Sequence, residues 1–245
     1  MRSAIILGFA LLFLPGAALA QRSVCAGCHF SHPEAPGHLL EWEMSPHANN
    51  NVGCEGCHGG DPSTADSFLA HVGVLNSRNP ASKVHRSNIV RTCGTCHPGP
   101  FAAFQGSRHF ALLEEGDEQA PVCTACHSEV AARLLSPRRL EVRCQRCHAE
   151  GRVGGNPQFP SQARSMLEAI REVRDLLDEA RPLIRRVSDR DRREQLEEQY
   201  RQAEVPVIEA VQLGHSFNFD RVEERRGTAR GRAEALLQRL ANPTE

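Results

Sequence analysis

Aromatic side chains are scarce in this 245-residue chain: they make up 5% of it, and Trp42 and Tyr200 are its single Trp and Tyr. A chain of this size normally fills its interior with more aromatic bulk, so something other than side chains is expected to occupy part of the core. Lysine is nearly missing as well, Lys83 being the one lysine among 29 basic residues. There is no excess of either charge sign, the formal net charge being −1. That balance leaves no basic footprint and excludes nucleic acid as a partner. Methionine is limited to Met1, Met44 and Met166, and cysteine stops at Cys147. Beyond the first twenty residues no run is apolar enough to span a bilayer.

The first twenty residues differ from the rest. Arg2 is followed by an apolar run from Ala4 to Leu14, a Pro15-Gly16 break and the small-residue sequence Ala18-Leu19-Ala20. This is the layout of a cleavable secretory leader, too short in its apolar part for a membrane anchor. Residues 1–20 are therefore expected to be a signal peptide. The mature chain is expected in the periplasm with no transmembrane segment.

All ten cysteines fall into five C-x-x-C pairs, and a histidine follows each pair directly. The motifs are Cys25/Cys28/His29, Cys54/Cys57/His58, Cys93/Cys96/His97, Cys123/Cys126/His127 and Cys144/Cys147/His148. C-x-x-C-H is the c-type haem attachment signature. Two thiols at this spacing add to the two vinyl groups of a haem, and the next imidazole is held under the ring to bind iron. Five disulfides would give no reason for the repeated histidine. Zinc ribbons use such pairs without needing it, and a thioredoxin-like site has one pair inside a βαβ unit. Five haems c, with iron, are the expected cofactors. Residues 21–151 are too few to build five separate apolar pockets, so the haems are expected to stack and form most of the core there.

A second strong axial ligand makes a haem an electron carrier, and an open position makes it a catalyst. Outside the motifs lie His32, His38, His47, His71, His85, His109 and His215. These cover five distal positions, whereas methionine could serve two at most. His47, His71, His85, His109 and His215 are the expected distal ligands. His32 and His38 read equally as solvated loop histidines, and His38 is an alternative to His71. His215 shares a helical face with Val207 and Val211, four residues apart each time.

From about Pro160 the pattern changes to heptad-like apolar stripes. Met166, Ile170, Val173, Leu177, Ala180, Ile184 and Val187 form the first. Leu196, Tyr200, Ala203, Val207 and Ala210 form the second, and Val222, Ala229, Ala233, Leu236 and Leu240 the third. Ser188-Asp189 and Asn218-Phe219-Asp220 are the expected breaks and caps, and Pro182 and Pro206 are expected to kink or interrupt their helices. The expected fold is mainly α with much irregular loop. A multihaem cytochrome c domain (21–155) is organised around stacked haems, and a C-terminal helical hairpin or three-helix bundle (156–245) follows. A coiled-coil dimerisation arm is the alternative for the tail, so an oligomer is allowed.

The stretch from His47 to His148 resembles the periplasmic multihaem cytochromes c. The resemblance rests on Ser45-Pro46-His47 before Cys54-Glu55-Gly56-Cys57-His58-Gly59-Gly60, on Thr92-Cys93-Gly94, and on Ser107-Arg108-His109 before Val122-Cys123. It implies distal roles for His47 and His109, and redox protein partners: a membrane quinol-oxidising donor and a periplasmic or outer-membrane acceptor. The helical tail looks more like the nitrite and hydroxylamine multihaem enzymes. After His127 the chain has Ser128-Glu129-Val130 where the carriers often place a distal histidine, so the fourth haem must borrow a ligand or lack one.

Three functions compete: an electron-transfer protein of a respiratory chain, an oxidoreductase acting on a small nitrogen or sulfur compound at one open haem, and an extracellular filament subunit. The histidine supply and the absence of a dedicated catalytic constellation favour the carrier. Mass spectrometry of protein exported from a host able to attach haem should give the chain from Gln21 plus five haems.

Overall fold

The computed structural model describes residues 23–31, 38–128, 130 and 136–242. The expected signal peptide, His32, and the chain's last three residues lie outside them. Among the described residues the chain is helical with irregular connections and no strand.

The front part is a series of short helices: α1 (Val24–Phe30), α2 (His38–Glu43), α3 (Pro46–Asn49), α4 (Glu55–His58), α5 (Ser67–Ala70), α6 (Ile89–Gly94), α7 (Pro98–Gln105), α8 (Arg108–Glu114), α9 (Cys123–His127) and α10 (Pro137–His148). Isolated helices this short are unstable in water, so they need fixed ends and neighbours. Serine and aspartate supply several of the ends. Ser45, Asp66, Ser107 and Ser136 accept backbone N–H bonds at the starts of α3, α5, α8 and α10. Buried apolar side chains are few here: Ala26, Leu39, Val90, Ala120 and Pro137 among the described residues of this part. Large apolar groups stand exposed instead, including Phe68 at 80% and Val72 at 62%. Such a region lacks the interior that normally repays chain ordering.

The rear part is built conventionally. The helices α11 (Phe159–Arg185), α12 (Arg190–Leu213) and α13 (Phe219–Ala241) pack pairwise into a three-helix bundle, and α10 lies against α11. All three apolar stripes face inward, with Ile170, Val173, Leu177, Ala180, Ile184, Leu196, Tyr200, Ala203, Val207, Ala210, Val222, Ala229, Ala233 and Leu236 in one buried cluster. Met166, Val187 and Leu240 flank it. Asp189 caps α12 by accepting from Arg192 N–H, and Asn218 caps α13 by accepting from Arg221 N–H. At the rim, the Arg181 guanidinium sits over the Tyr200 ring, 5.0 Å from its centroid, and donates to its hydroxyl.

Of the two effects expected of Pro182 and Pro206, interruption does not occur: both lie inside continuous helices. Pro182 falls in the last turn of α11, where little helix remains to disrupt, and the Pro206 ring is buried in the core, so its packing offsets the lost backbone bond. The face carrying Val207 and Val211 also stops short of His215: α12 ends at Leu213, and a 3₁₀ turn (Gly214–Ser216) carries the histidine. Truncating Leu236, 1% exposed at the bundle centre, should lower unfolding stability by about 2–5 kcal/mol in Leu236→Ala, read by chemical denaturation.

Candidate functional site

Each C-x-x-C-H segment adopts a helical turn. Cys25, Cys28 and His29 lie on α1; Cys57 and His58 on α4 with Cys54 just before it; Cys123, Cys126 and His127 on α9; Cys144, Cys147 and His148 on α10. Around the third motif α6 ends at Gly94, but Cys96 and His97 N–H both still bond to the Cys93 carbonyl, at 3.2 and 3.0 Å. Helical spacing of 3 and 4 residues brings both thiols and the imidazole to one side of each turn. None of the ten cysteines is joined to another in a disulfide.

The other histidines are placed by local devices. The buried Ser45 and Ser107 hydroxyls cap α3 and α8, which sets His47 and His109 at the second position of each helix. His71 follows α5, where its Nδ1–H donates to the Ser67 carbonyl at 2.6 Å. His47 Nδ1 lies 3.2 Å from the Val130 carbonyl. His215 Nδ1 lies 3.1 Å from the Val211 carbonyl. The end of α12 is pressed against α7 at Gly99, where a Cβ would stand 2.6 Å from Gln212 Cδ.

These placements bring motif and non-motif histidines opposite one another. Ring centroids are 5.9 Å apart for His29 and His71, 6.1 Å for His47 and His97, 5.9 Å for His109 and His148, and 6.0 Å for His127 and His215. The last pair is nearly parallel, at 17°, and the others cross at 55–67°. The fifth motif histidine, His58, is held below its ordinary basicity first by burial and then by the neighbouring charge of His38. Burial likewise lowers His109, with a smaller effect from His148, and His127, with smaller effects from His215 and His97. Neutral imidazole is the form that binds a metal.

Four of the five histidines expected to be distal, His47, His71, His109 and His215, thus each face a motif histidine. His85 is turned to Ser87, whose Oγ lies 2.7 Å from its Nδ1. The imidazole whose charge acts on His58 is that of His38, which the sequence left open between a solvated loop histidine and a distal ligand in place of His71. Its signal was present but faint: His38 opens a helix whose next residue, Leu39, is buried.

The thiols show how the motifs neighbour one another. The Cys25 charge acts on Cys54, and Cys96 on Cys57. Cys93 and Cys123 share a hydrogen bond that raises the first and lowers the second. Cys147 acts on Cys126, and Cys144 is pushed up to about 11 by burial and by Cys126. Motifs one to five therefore lie in space in chain order, each beside the next.

The donors fit haem better than a bare metal ion. Among the described residues no group of three or more His, Cys, Asp or Glu is gathered as a metal site, whereas structural zinc takes four ligands. Two imidazole nitrogens at about 2 Å from one metal, with a ring radius added on each side, put centroids about 6 Å apart. That is the spacing of the opposed pairs. A cavity of about 530 Å³ opens beside His127, lined also by Ser128, Arg138, Arg139 and Arg143. The Ser128 hydroxyl is buried there without a partner among the described residues, and the arginines suit the carboxylates of a haem edge.

Residues 79–149 match the family model of cytochrome c7 and related cytochrome c, and residues 14–59 match that of cytochrome c554 and c-prime. The C-type polyheme cytochrome OmcC of Geobacter sulfurreducens is 29% identical over 126 residues, which is 48% of this chain and 16% of that protein. The chain therefore spans about one sixth of that relative's length. No solved structure matches it significantly. Both family models describe multihaem c-type cytochromes, a class that carries electrons on covalently bound haem.

His148 is wrapped by the turn after it, where its Nδ1 lies 3.1 Å from the Gly155 carbonyl. A Cβ on Gly154 would stand 2.8 Å from both the Cys147 carbonyl oxygen and His148 Nδ1. Gly154→Ala should therefore lower stability by about 1–3 kcal/mol in denaturant titration, while a similar change at the open position Gly227 should cost nothing.

Proposed function

We propose that this chain is an exported electron-transfer protein of a respiratory chain, with five haems c each held between two histidines. One observation carries the reading: four of the five motif histidines have a second imidazole from elsewhere in the chain with its ring centre about 6 Å away, and the fifth, His58, feels the charge of His38. The proposed sets are Cys25/Cys28 with His29 and His71, Cys54/Cys57 with His58 and His38, and Cys93/Cys96 with His97 and His47. The remaining two are Cys123/Cys126 with His127 and His215, and Cys144/Cys147 with His148 and His109. His38 takes the place expected of His85. A haem so ligated supplies one-electron exchange at low potential, with no open coordination position.

The chain's own residues do the rest. Backbone carbonyls accept from Nδ1 of His47, His71, His148 and His215, which selects the tautomer and leaves Nε2 for the iron. Burial favours the neutral form of His58, His109 and His127. The chain-order adjacency of the thiols makes a continuous path from the first attachment point to the fifth.

His215 bears on the choice between carrier and enzyme. An oxidoreductase acting on a small nitrogen or sulfur compound would need an open haem, and the fourth motif lacks a nearby downstream histidine. The bundle instead delivers His215 to the face of His127, which favours the carrier. The proposal includes cleavage of residues 1–20, a periplasmic location, and division into residues 21–155 for the haems and 156–245 for the helices. It also includes a quinol-oxidising donor and a periplasmic or outer-membrane acceptor. Among the described residues no helix is long and apolar enough to cross a membrane.

Protein purified from a host that attaches haem should be red, contain five haems per chain by pyridine haemochrome assay, and be low-spin throughout with no response to carbon monoxide. Colourless protein with titratable thiols or bound zinc would end the proposal. His215→Ala and His38→Ala should each turn one haem high-spin and open to carbon monoxide, while His85→Ala leaves all five low-spin.

A further inference from the structure

At the fifth motif His109 is held differently from His47, His71 and His215. His47, His71 and His215 each bond Nδ1 to a backbone carbonyl. His109 Nδ1 is buried without a hydrogen-bond partner among the described residues. Nothing polar therefore fixes the rotation of the His109 ring about its side-chain axis, although a distal ligand needs a defined plane.

What meets His109 is the ring of Phe217, edge to face, with centroids 4.6 Å apart at 80°. Aromatic pairs favour this geometry. Phe217 reaches it from an unfavourable backbone, with φ 56° and ψ 22°, at the end of the Gly214–Ser216 turn. The left-handed region is one that glycine or asparagine enters readily and a bulky side chain does not. Such strain persists where the surroundings over-determine it, and it clusters at functional sites. The surroundings do so here. Two residues earlier His215 faces His127, the next residue Asn218 caps α13, and Phe219 packs on Phe159, 4.9 Å away. Phe159 in turn stacks on His148, the opposed imidazole, at 5.4 Å and 19°.

We infer that Phe217 is a positioning residue for His109, its ring doing for this imidazole what a carbonyl hydrogen bond does for His47, His71 and His215. The inference rests on the proposed ligation of the fifth haem by His109 and His148. Loss of the ring frees His109 to rotate against His148, whose plane now crosses it at 61°. The relative plane of two axial imidazoles sets the g-anisotropy of a low-spin ferric haem, so the change can be read directly.

The test uses the full holoprotein and compares Phe217→Asn, which tolerates the left-handed backbone without a ring, with Phe217→Leu and the ring-retaining Phe217→Tyr. Haem content should stay at five per chain in all of them. In the Asn and Leu variants one of five low-spin electron paramagnetic resonance components should shift or broaden, and one reduction wave should move. Phe217→Tyr should reproduce the parent spectrum. Spectra of the Asn and Leu variants superimposable on the parent, with a lowered melting temperature alone, would overturn the inference and leave Phe217 as packing. If Phe217→Asn does not fold, Leu against Tyr decides by the same readout. A parent protein without haem would instead defeat the ligation proposal, a separate failure.

Discussion

Two imidazoles held ring centre to ring centre about 6 Å apart gain little from each other. No hydrogen bond joins the members of these pairs. Beyond the larger effect of burial, the charge of His38 on His58 and of His215 on His127 makes the motif histidine harder to protonate. The chain nevertheless spends a buried serine cap on His47 and another on His109, and turns Nδ1 of several rings back to its own backbone. An arrangement with so little intrinsic benefit, built at four of the five attachment motifs, is explained by what fits between the rings. On the proposed reading that is iron in a porphyrin plane, and the spacing is the constraint that the remaining architecture serves.

The sparse interior of the front part follows from it. Ala26, Leu39, Val90 and Ala120 cannot hold ten short helices together, and the exposed Phe68, Leu69 and Val72 around His71 would be costly as bare surface. Both features make sense if large apolar cofactors supply the contacts. The scarcity of aromatic residues has the same explanation. The bundle shows the contrast: where no attachment motif exists, a continuous aliphatic core appears.

The bundle also does more than pack on itself. Its lower end gathers Phe159, His215, Phe217 and Phe219 into a bracket that touches the histidines of motifs four and five. A single turn between α12 and α13 thereby serves two attachment points. This ties the conventional core to the region that lacks one.

How much of this was legible in the amino-acid order depends on distance along the chain. The attachment motifs are complete within five residues, since two thioethers and one ligand have to meet a single ring. Heptad stripes repeat within a helix, so the three bundle helices and the Asp189 and Asn218 caps could be read directly. Ser45 and Ser107 were legible as context for His47 and His109 because capping acts over three residues. The pairing of histidines could not be read, because it joins segments far apart in sequence, and no local rule tells His38 from His85. The continuity of α11 and α12 through Pro182 and Pro206, and the placing of His215 in a turn beyond its helix, were likewise decided by packing. Chemistry that closes over a few bonds was written in the sequence; which imidazole faces which was left to the tertiary structure, where burial and backbone carbonyls orient each ring.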